Sequence, residues 1–347
     1  MALGGKPALD AHLAAGLCAL KMCAVELRRA GLHVTGTALW LDARRGSELS
    51  FVSHAHADHA ARHQRVIATH ATLRLMSHRL GKLSGALPVP YGRPFELGPL
   101  FLELLPAGHI KGSAQIRVTR PDGHRVVYTG DINPGPSLTA EPLQPAECDT
   151  LLIESTFGHP RYRFPPRARV LEEVEGWCRA QLDRGVAPVL LGYPLGKSQE
   201  AIKFLVSRGL QVAAHGTIQE MSHLYEELGT PVGPVRRFRG TLEPGEVLVY
   251  PPRLSRSVAL SRLRPRAVAV LTGWALDEGV ARRYGADVAF PLSDHADFGQ
   301  LVDYAQRTGA SEVITHHGFA RELSHALRER GVRARPIGEV QQLELFR

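Results

Sequence analysis

The chain has 347 residues, of which 42 are Lys or Arg and 34 are Asp or Glu, for a formal charge of +8 with histidine neutral. That length can bury a large core and suggests two domains rather than one repeated module. Only 6 of the 42 basic residues are Lys, which leaves 36 Arg; a GC-rich gene explains part of that bias but not the net positive sign, which favours a polyanionic partner whose phosphates pair with guanidinium groups.

Residues 11–20 are apolar but too short and interrupted to span a bilayer. No small-residue cleavage site stands clearly beyond Arg28-Arg29, so this stretch reads as an amino-terminal helix or a dispensable extension. Cys18, Cys23, Cys148 and Cys178 form no familiar ligand spacing and read as buried free thiols, which suits a reducing cytoplasm. Farther on, the apolar run Leu49-Ser50-Phe51-Val52 leads almost directly into His54, His56, Asp58 and His59.

A solvated turn is the bland reading of that dense set, but polar groups fed straight from an apolar segment are costly near a core unless metal ions or hydrogen bonds satisfy them. In an extended or tightly turned segment, His54 and His56 can address one point in space while Asp58 and His59 address a neighbouring one, as a paired-metal site requires. Two further strand-like runs also end in ligand types. Phe101 to Leu105 precedes Gly108-His109, and Arg125 to Tyr128 precedes Gly130-Asp131.

From His159 to Arg167 the chain is rich in Pro and Arg, and a helix is expected from near Ala168, with Leu171, Val174, Trp177, Cys178 and Leu182 at core spacing. Val189 to Gly192 reads as a buried strand and Gln199 to Val206 as a helix. This arrangement would set the Gly196 and Lys197 amides at a helix start, where they could hold a phosphate. ATP binding is rejected, because the nucleotide-binding loop needs a glycine where Leu191 stands. A strand Gln211 to Ala214 leads to His215, which either faces the cleft beside Lys197 or caps the next helix.

The basic clusters Arg236 to Arg239 and Arg253 to Arg266 read as solvated faces, and Trp274 as a core residue with base stacking as the alternative. Ala286 to Phe290 and Ser311 to Thr315 read as strands leading to His295 and His317, with Gly318 permitting a tight turn. Strand alternation turns His316 away from whatever His317 faces. Glu322 to Gly331 reads as a surface helix with Leu323, Ala326 and Leu327 inward, before a short strand Gln342 to Phe346.

The order of these pieces resembles the metallo-β-lactamase superfamily. His54, His56, Asp58 and His59 stand as its signature motif, His109 as the last ligand of the first metal, Asp131 as the bridging ligand, and Asp42, in Leu39-Trp40-Leu41-Asp42, as the buried acid that steadies the ligand loop. Leu151 to Gly158, Phe290 to Phe298 and Val313 to Gly318 look like the three additional motifs of the β-CASP branch, which acts on nucleic acids and includes the endonuclease of messenger RNA 3′-end processing and ribonuclease J. Within the branch, Ile153 to Gly158, continuing to Pro166, and the ending His317-Gly318-Phe319 look like the bacterial ligase-associated DNA exonucleases. The stretch Cys18 to Thr35 departs from them in lacking a Cys-Pro segment.

The resemblance implies an α/β fold: an αββα sandwich from residues 1–160 and 290–347, with an inserted α/β β-CASP domain at 161–289. It implies two zinc ions, with manganese as the alternative. The first would be held by His54, His56, His109 and Asp131, the second by Asp58, His59, Asp131 and His317. Two such ions can share a water and lower its pKa, giving a hydroxide nucleophile. Asp58, His295 and Glu154 are the expected catalytic residues, with His295 protonating the leaving oxygen and Glu154 positioning it. Lys197, Ser198 and His215 are the expected substrate contacts.

The function implied is a cytoplasmic dimetal nuclease, a repair-type DNA exonuclease on single-stranded DNA, partnered by DNA-repair proteins. An RNA-processing endo- or exoribonuclease is the alternative. A lactam or thioester hydrolase would share the first-domain ligands but would not need Glu154, His295, His317 or a basic insertion. A non-catalytic subunit would have lost ligands, and every expected one is present.

Overall fold

The computed structural model describes residues 25–338. Cys18, Cys23, the apolar segment at 11–20 and the expected strand at 342–346 lie outside them. The first strands are β1 (Val25–Arg28), β2 (Gly31–Val34), β3 (Leu39–Leu41), β4 (Leu49–Phe51), β5 (Arg65–Ala68) and, after helix α1 (His70–Leu80), β6 (Ala86–Pro88). They form one sheet in sequence order, antiparallel from β1 to β3 and parallel from β3 to β6. Thr69 caps α1 by accepting from Thr72 N–H at 3.1 Å.

A meander follows: β7 (Phe95–Leu97), β8 (Leu100–Pro106), β9 (Ala114–Thr119) and β10 (Arg125–Tyr128), with β11 (Thr150–Glu154) parallel to β10. The chain then runs through α2 (Arg167–Leu182), β12 (Ala187–Leu191), α3 (Lys197–Ser207), β13 (Gln211–Ala214), α4 (Gly216–Glu227), β14 (Arg236–Arg237), β15 (Glu246–Tyr250), α5 (Val258–Arg262), β16 (Arg266–Leu271), α6 (Val280–Tyr284) and β17 (Val288–Phe290). Its strands make a separate, wholly parallel sheet in the order β14-β13-β15-β12-β16-β17. Finally α7 (Phe298–Arg307), β18 (Glu312–His316), α8 (Ala320–Arg328) and β19 (Ala334–Pro336) return the chain to the second sheet, where β18 pairs with β11.

Strand alternation assigns the cores. On β11, Leu152 points into the space between the first two sheets with Phe51, Ile67, Leu104 and Tyr128, while Leu151 and Ile153 face Leu301, Leu323 and Leu327 of α7 and α8. Leu73 and Met76 of α1 share a core with Val66 of the first sheet and with Val170, Ile202 and Ile218 of α2, α3 and α4. Helix, sheet, sheet and helix are thus stacked, and a further α/β layer sits against α1, the architecture the resemblance implies.

The third sheet is buried on both faces. Leu190 packs toward α2, and Val189 and Leu191 toward Leu260 and Val280 of α5 and α6, so its strands read as continuous apolar runs. The expected helix after Pro166 begins at Arg167, with Leu171, Val174 and Cys178 buried, and α8 turns Leu323, Ala326 and Leu327 inward. Cys148 and Cys178 are buried free thiols. Among the described residues no helix is long and apolar enough to cross a membrane.

Candidate metal centre

The ligand types gather at the carboxyl ends of strands from both sandwich sheets, the usual place for a site in parallel sheets. Asp42 follows β3, the run from His54 to His59 follows β4, His109 follows β8 and Asp131 follows β10. Glu154 ends β11 and His316 ends β18. His54, His56, His109 and Asp131 each offer one ligand atom, all within 4.8 Å of one another.

Their hydrogen bonds show that the donor set fits a cation. Ser53 Oγ donates to Asp42 Oδ2 at 2.6 Å, so it accepts from His54 Nδ1–H at 2.9 Å and leaves Nε2 bare. That buried Nε2 has no hydrogen-bond partner among the described residues and lies 3.5 Å from Asp131 Oδ2. His56 Nε2–H donates to the Leu195 carbonyl at 3.1 Å and His109 Nδ1–H to the Asp294 carbonyl at 2.8 Å. The remaining nitrogens, His56 Nδ1 and His109 Nε2, then face each other lone pair to lone pair at 3.0 Å, which is favourable only with a cation between them.

Burial, then the neighbouring histidines, holds the His54 and His109 pKa values well below the usual range, and burial brings His56 down to about 4. All three are therefore neutral imidazoles at pH 7, the form that ligates metal.

Asp42 organises the second layer from an unusual backbone, φ +47°. Its Oδ1 accepts from Ser53 N–H at 2.6 Å, and its Oδ2 accepts from Ser53 Oγ, from His59 Nδ1–H at 2.8 Å and from the Tyr128 hydroxyl at 2.8 Å. This fixes the His59 tautomer and leaves Nε2 3.4 Å from Asp131 Oδ2 and 3.8 Å from Asp58 Oδ2. Burial lowers the His59 pKa, but Asp131, Asp42 and Asp58 outweigh it and raise the group to about 10. In the metal-free protein a proton on His59 thus offsets the surrounding carboxylates.

The other expected ligands of a second ion are less closely drawn in. The Asp58 side chain is 74% exposed, the His317 ring lies 5.9 Å from that of His59, and His317 Nε2 is 3.4 Å from Arg44 Nη2. His317 itself has φ +62° and Gly318 φ +49°. A side chain at 318 would collide with the Ser155 carbonyl, so the tight turn requires glycine. The neighbouring His316 is buried against the Tyr128 ring with neither ring nitrogen paired among the described residues.

Beside the first ligand set, His295 Nδ1 lies 3.1 Å from Glu154 Oε2, and Glu154 Oε1 accepts from Ile132 N–H at 2.7 Å. Burial lowers the His295 pKa, but Glu154 and Asp131 together raise it to about 9. Its side chain keeps 22% of its surface open, so the imidazolium is accessible from outside.

The expected substrate contacts are turned elsewhere. Lys197 Nζ pairs with Asp294 Oδ2 at 2.7 Å, and the Gly196 and Lys197 amides are taken by Gln199 Oε1 and Asp294 Oδ2 at 2.9 and 3.3 Å. Ser198 is wholly buried and donates to the Tyr193 carbonyl at 2.6 Å. His215 caps α4, accepting from Thr217 N–H at 3.3 Å, with its ring against Tyr250. Trp274 packs at 4.6 Å from the Phe157 ring.

Ser53, Tyr128, Leu195 and Asp294, which orient these groups, lie outside the ligand set that local spacing marks. Asp294 stood within a motif, directly before His295; the other three carry no local signal, because a backbone carbonyl or a strand tyrosine acts only through what it meets.

No family model matches the chain. It is 39% identical over 316 residues to a protein named probable DNA ligase from Opitutus terrae, covering 91% of this chain and 31% of that one. It is 24% identical to an RNase J-like protein from Methanocaldococcus jannaschii, covering 64% of each chain. It is 26% identical to the 5′ exonuclease Apollo of Gallus gallus, covering 82% of this chain and 63% of that one. The chain thus spans less than two thirds of the length of each of these relatives. A solved structure of a protein of unknown function from Enterococcus faecalis shares the fold, with a TM-score of 0.59 over 84% of this chain and 79% of that one at 14% identity.

Proposed function

The chain belongs to the β-CASP branch of the metallo-β-lactamase superfamily, and on that premise we propose that it is a metal-dependent phosphodiesterase acting on nucleic acid, a repair-type DNA exonuclease. The observation that carries the reading is the set of bare nitrogens on His54, His56 and His109 around Asp131, with the His295–Glu154 pair beside it. Residues 161–289 are the inserted unit of this reading, and the cytoplasm is its compartment.

His54, His56, His109 and Asp131 would hold one zinc ion, and Asp131, His59, Asp58 and His317 a second, with manganese as the alternative. Bound there, the ions supply Lewis acidity that acidifies water and offsets phosphoryl charge. The protein's own groups do the rest. Asp42 and Ser53 hold His59 and His54 in the ligating tautomers. His295, with Nδ1–H directed to Glu154, donates the proton on Nε2 to the leaving oxygen and ends as neutral imidazole. The arginine-rich surface supplies backbone attraction without base readout.

Single-stranded DNA is the favoured substrate; the name of the probable DNA ligase among the relatives supports DNA, and that of the 5′ exonuclease supports attack from an end. The RNase J-like relative supports RNA processing as the second reading. DNA-repair proteins are the expected partners. The deciding experiment offers zinc- or manganese-loaded protein single-stranded DNA and RNA of one sequence, linear and circular, labelled at either end. Mononucleotides from linear DNA with circles intact support the exonuclease. Preferential RNA cleavage, or cutting of circles, replaces it with the RNA-processing reading.

A further inference from the structure

We propose that Lys197 is a positioning residue that acts through Asp294 to link docking of the segment carrying α2 to α4 with metal capture by His54, His56 and His109. The inference rests on the metal reading of those histidines.

Of the three imidazoles, one takes its orientation from the inserted unit and another from the segment that leaves it. The carbonyl that holds His56 belongs to Leu195, two residues before Lys197 in the turn that opens α3. The carbonyl that holds His109 belongs to Asp294, in the segment returning from β17. Lys197 ties these two carbonyls together: its Nζ lies 2.7 Å and its amide 3.3 Å from Asp294 Oδ2.

The approach is close enough to exclude a side chain between them. Gly196 has φ +100°, and a Cβ there would lie 2.9 Å from Asp294 Oδ2 and 2.7 Å from Ile110 Cγ2, beside His109. A second ionic link runs in parallel. Arg167 of α2 bonds Glu200 of α3 and the Ser293 carbonyl, and Glu200 Oε1 accepts from Leu138 N–H at 3.1 Å.

The Lys197 and Asp294 side chains are 8% and 3% exposed. A buried ion pair is a poor source of stability, because desolvation offsets its attraction, but it is selective about geometry. Here the geometry it selects keeps two carbonyls aimed at two ring N–H groups. If the turn at 193–197 moves away, His56 Nε2–H loses its acceptor, the Leu195 carbonyl, and the His56 tautomer is no longer specified. If Asp294 shifts, the same follows for His109. Outer partners of ligating histidines set metal affinity in this way. Linkage is reciprocal, so an ion that needs both rings oriented must in turn tighten the docked arrangement.

The test uses the full chain and zinc alone. Zinc affinity is measured by competition with a chromophoric chelator for the unsubstituted protein, Lys197→Met, Lys197→Arg and Gly196→Ala, with amide exchange across 193–199 followed with and without zinc. Lys197→Met and Gly196→Ala are expected to weaken the tightest zinc site by about 10- to 100-fold, and Lys197→Arg to recover most of that loss. Zinc is expected to slow exchange at 193–199 in the unsubstituted protein.

Zinc affinity unchanged in both variants, with a raised KM for single-stranded DNA in Lys197→Met, would overturn the inference and make Lys197 a substrate contact. Should the variants not fold, exchange in the unsubstituted protein decides, and no zinc-dependent slowing overturns it. An unsubstituted protein that takes up no zinc defeats the metal reading itself and this inference with it.

Discussion

Glu154 and His295 meet with Oε2 and Nδ1 3.1 Å apart although 141 positions separate them in the chain. Glu154 Oε1 accepts from the amide of Ile132, the residue after Asp131, so the ends of β11 and β10 that carry Glu154 and Asp131 are tied together. That relationship divides the labour at the site: in the metal-free protein His295 and His59 carry a proton, whereas His54, His56 and His109 are kept without one.

Replacing His295 with alanine should lower turnover on single-stranded DNA by about 10²- to 10⁴-fold, the usual worth of a general acid, with KM little changed. Metal content measured by atomic emission should stay at the unsubstituted level. Loss of metal or of the folded state would instead make the pair a structural clamp.

The same pair should make the metal-free protein sensitive to alkali. The His295 pKa is raised from 6.5 to about 9, so its stabilisation is fully present below pH 6.5 and is lost as pH rises through about 9. Urea unfolding in chelator should show a fall on the order of a few kcal/mol between pH 6.5 and pH 9.5 from this group. In Glu154→Gln the fall should shrink, because the principal raising charge is gone; an equal fall in both proteins would refute the assignment.

Asp42→Ala should be among the most damaging single changes. It removes the acceptor of four donors, from Ser53 N–H, Ser53 Oγ, His59 Nδ1–H and Tyr128 OH. Each buried unsatisfied group costs about 1–3 kcal/mol. Tyr128→Phe, which removes one donor cleanly, should cost about 1 kcal/mol by denaturant titration. If Asp42→Ala costs no more than Tyr128→Phe, the carboxylate is not the hub described.

Chelation should abolish hydrolysis and lower the melting temperature, and zinc added back should restore both. At free zinc 100 times its Kd, one site adds about 2.7 kcal/mol. His54→Ala should lose the greater part of that gain. A melting temperature that does not respond to zinc in the unsubstituted protein would rule out a structural contribution from the metal.

Much of this site was legible along the chain because strands deliver side chains in a fixed local pattern. The run from His54 to His59, His109 and Asp131 each follow an apolar segment, and a ligand type at the end of such a segment needs no knowledge of the rest of the fold. The alternating faces of β11 and the inward residues of α8 follow from period alone.

Partner choice did not follow. Gly196-Lys197-Ser198 has the look of a phosphate-holding turn, yet Asp294, 97 positions away, claims the ammonium and an amide, while Tyr193 claims the Ser198 hydroxyl. The tautomers of His56 and His109 depend on the carbonyls of Leu195 and Asp294, at separations of 139 and 185 residues. The residues that can bind a metal were thus determined by the sequence itself, since side-chain chemistry and strand period are local. Which nitrogen each turns inward, and which cations are already spent on internal pairs, was decided only in the tertiary structure, because a hydrogen bond is settled by whichever group the folded chain brings within about 3 Å.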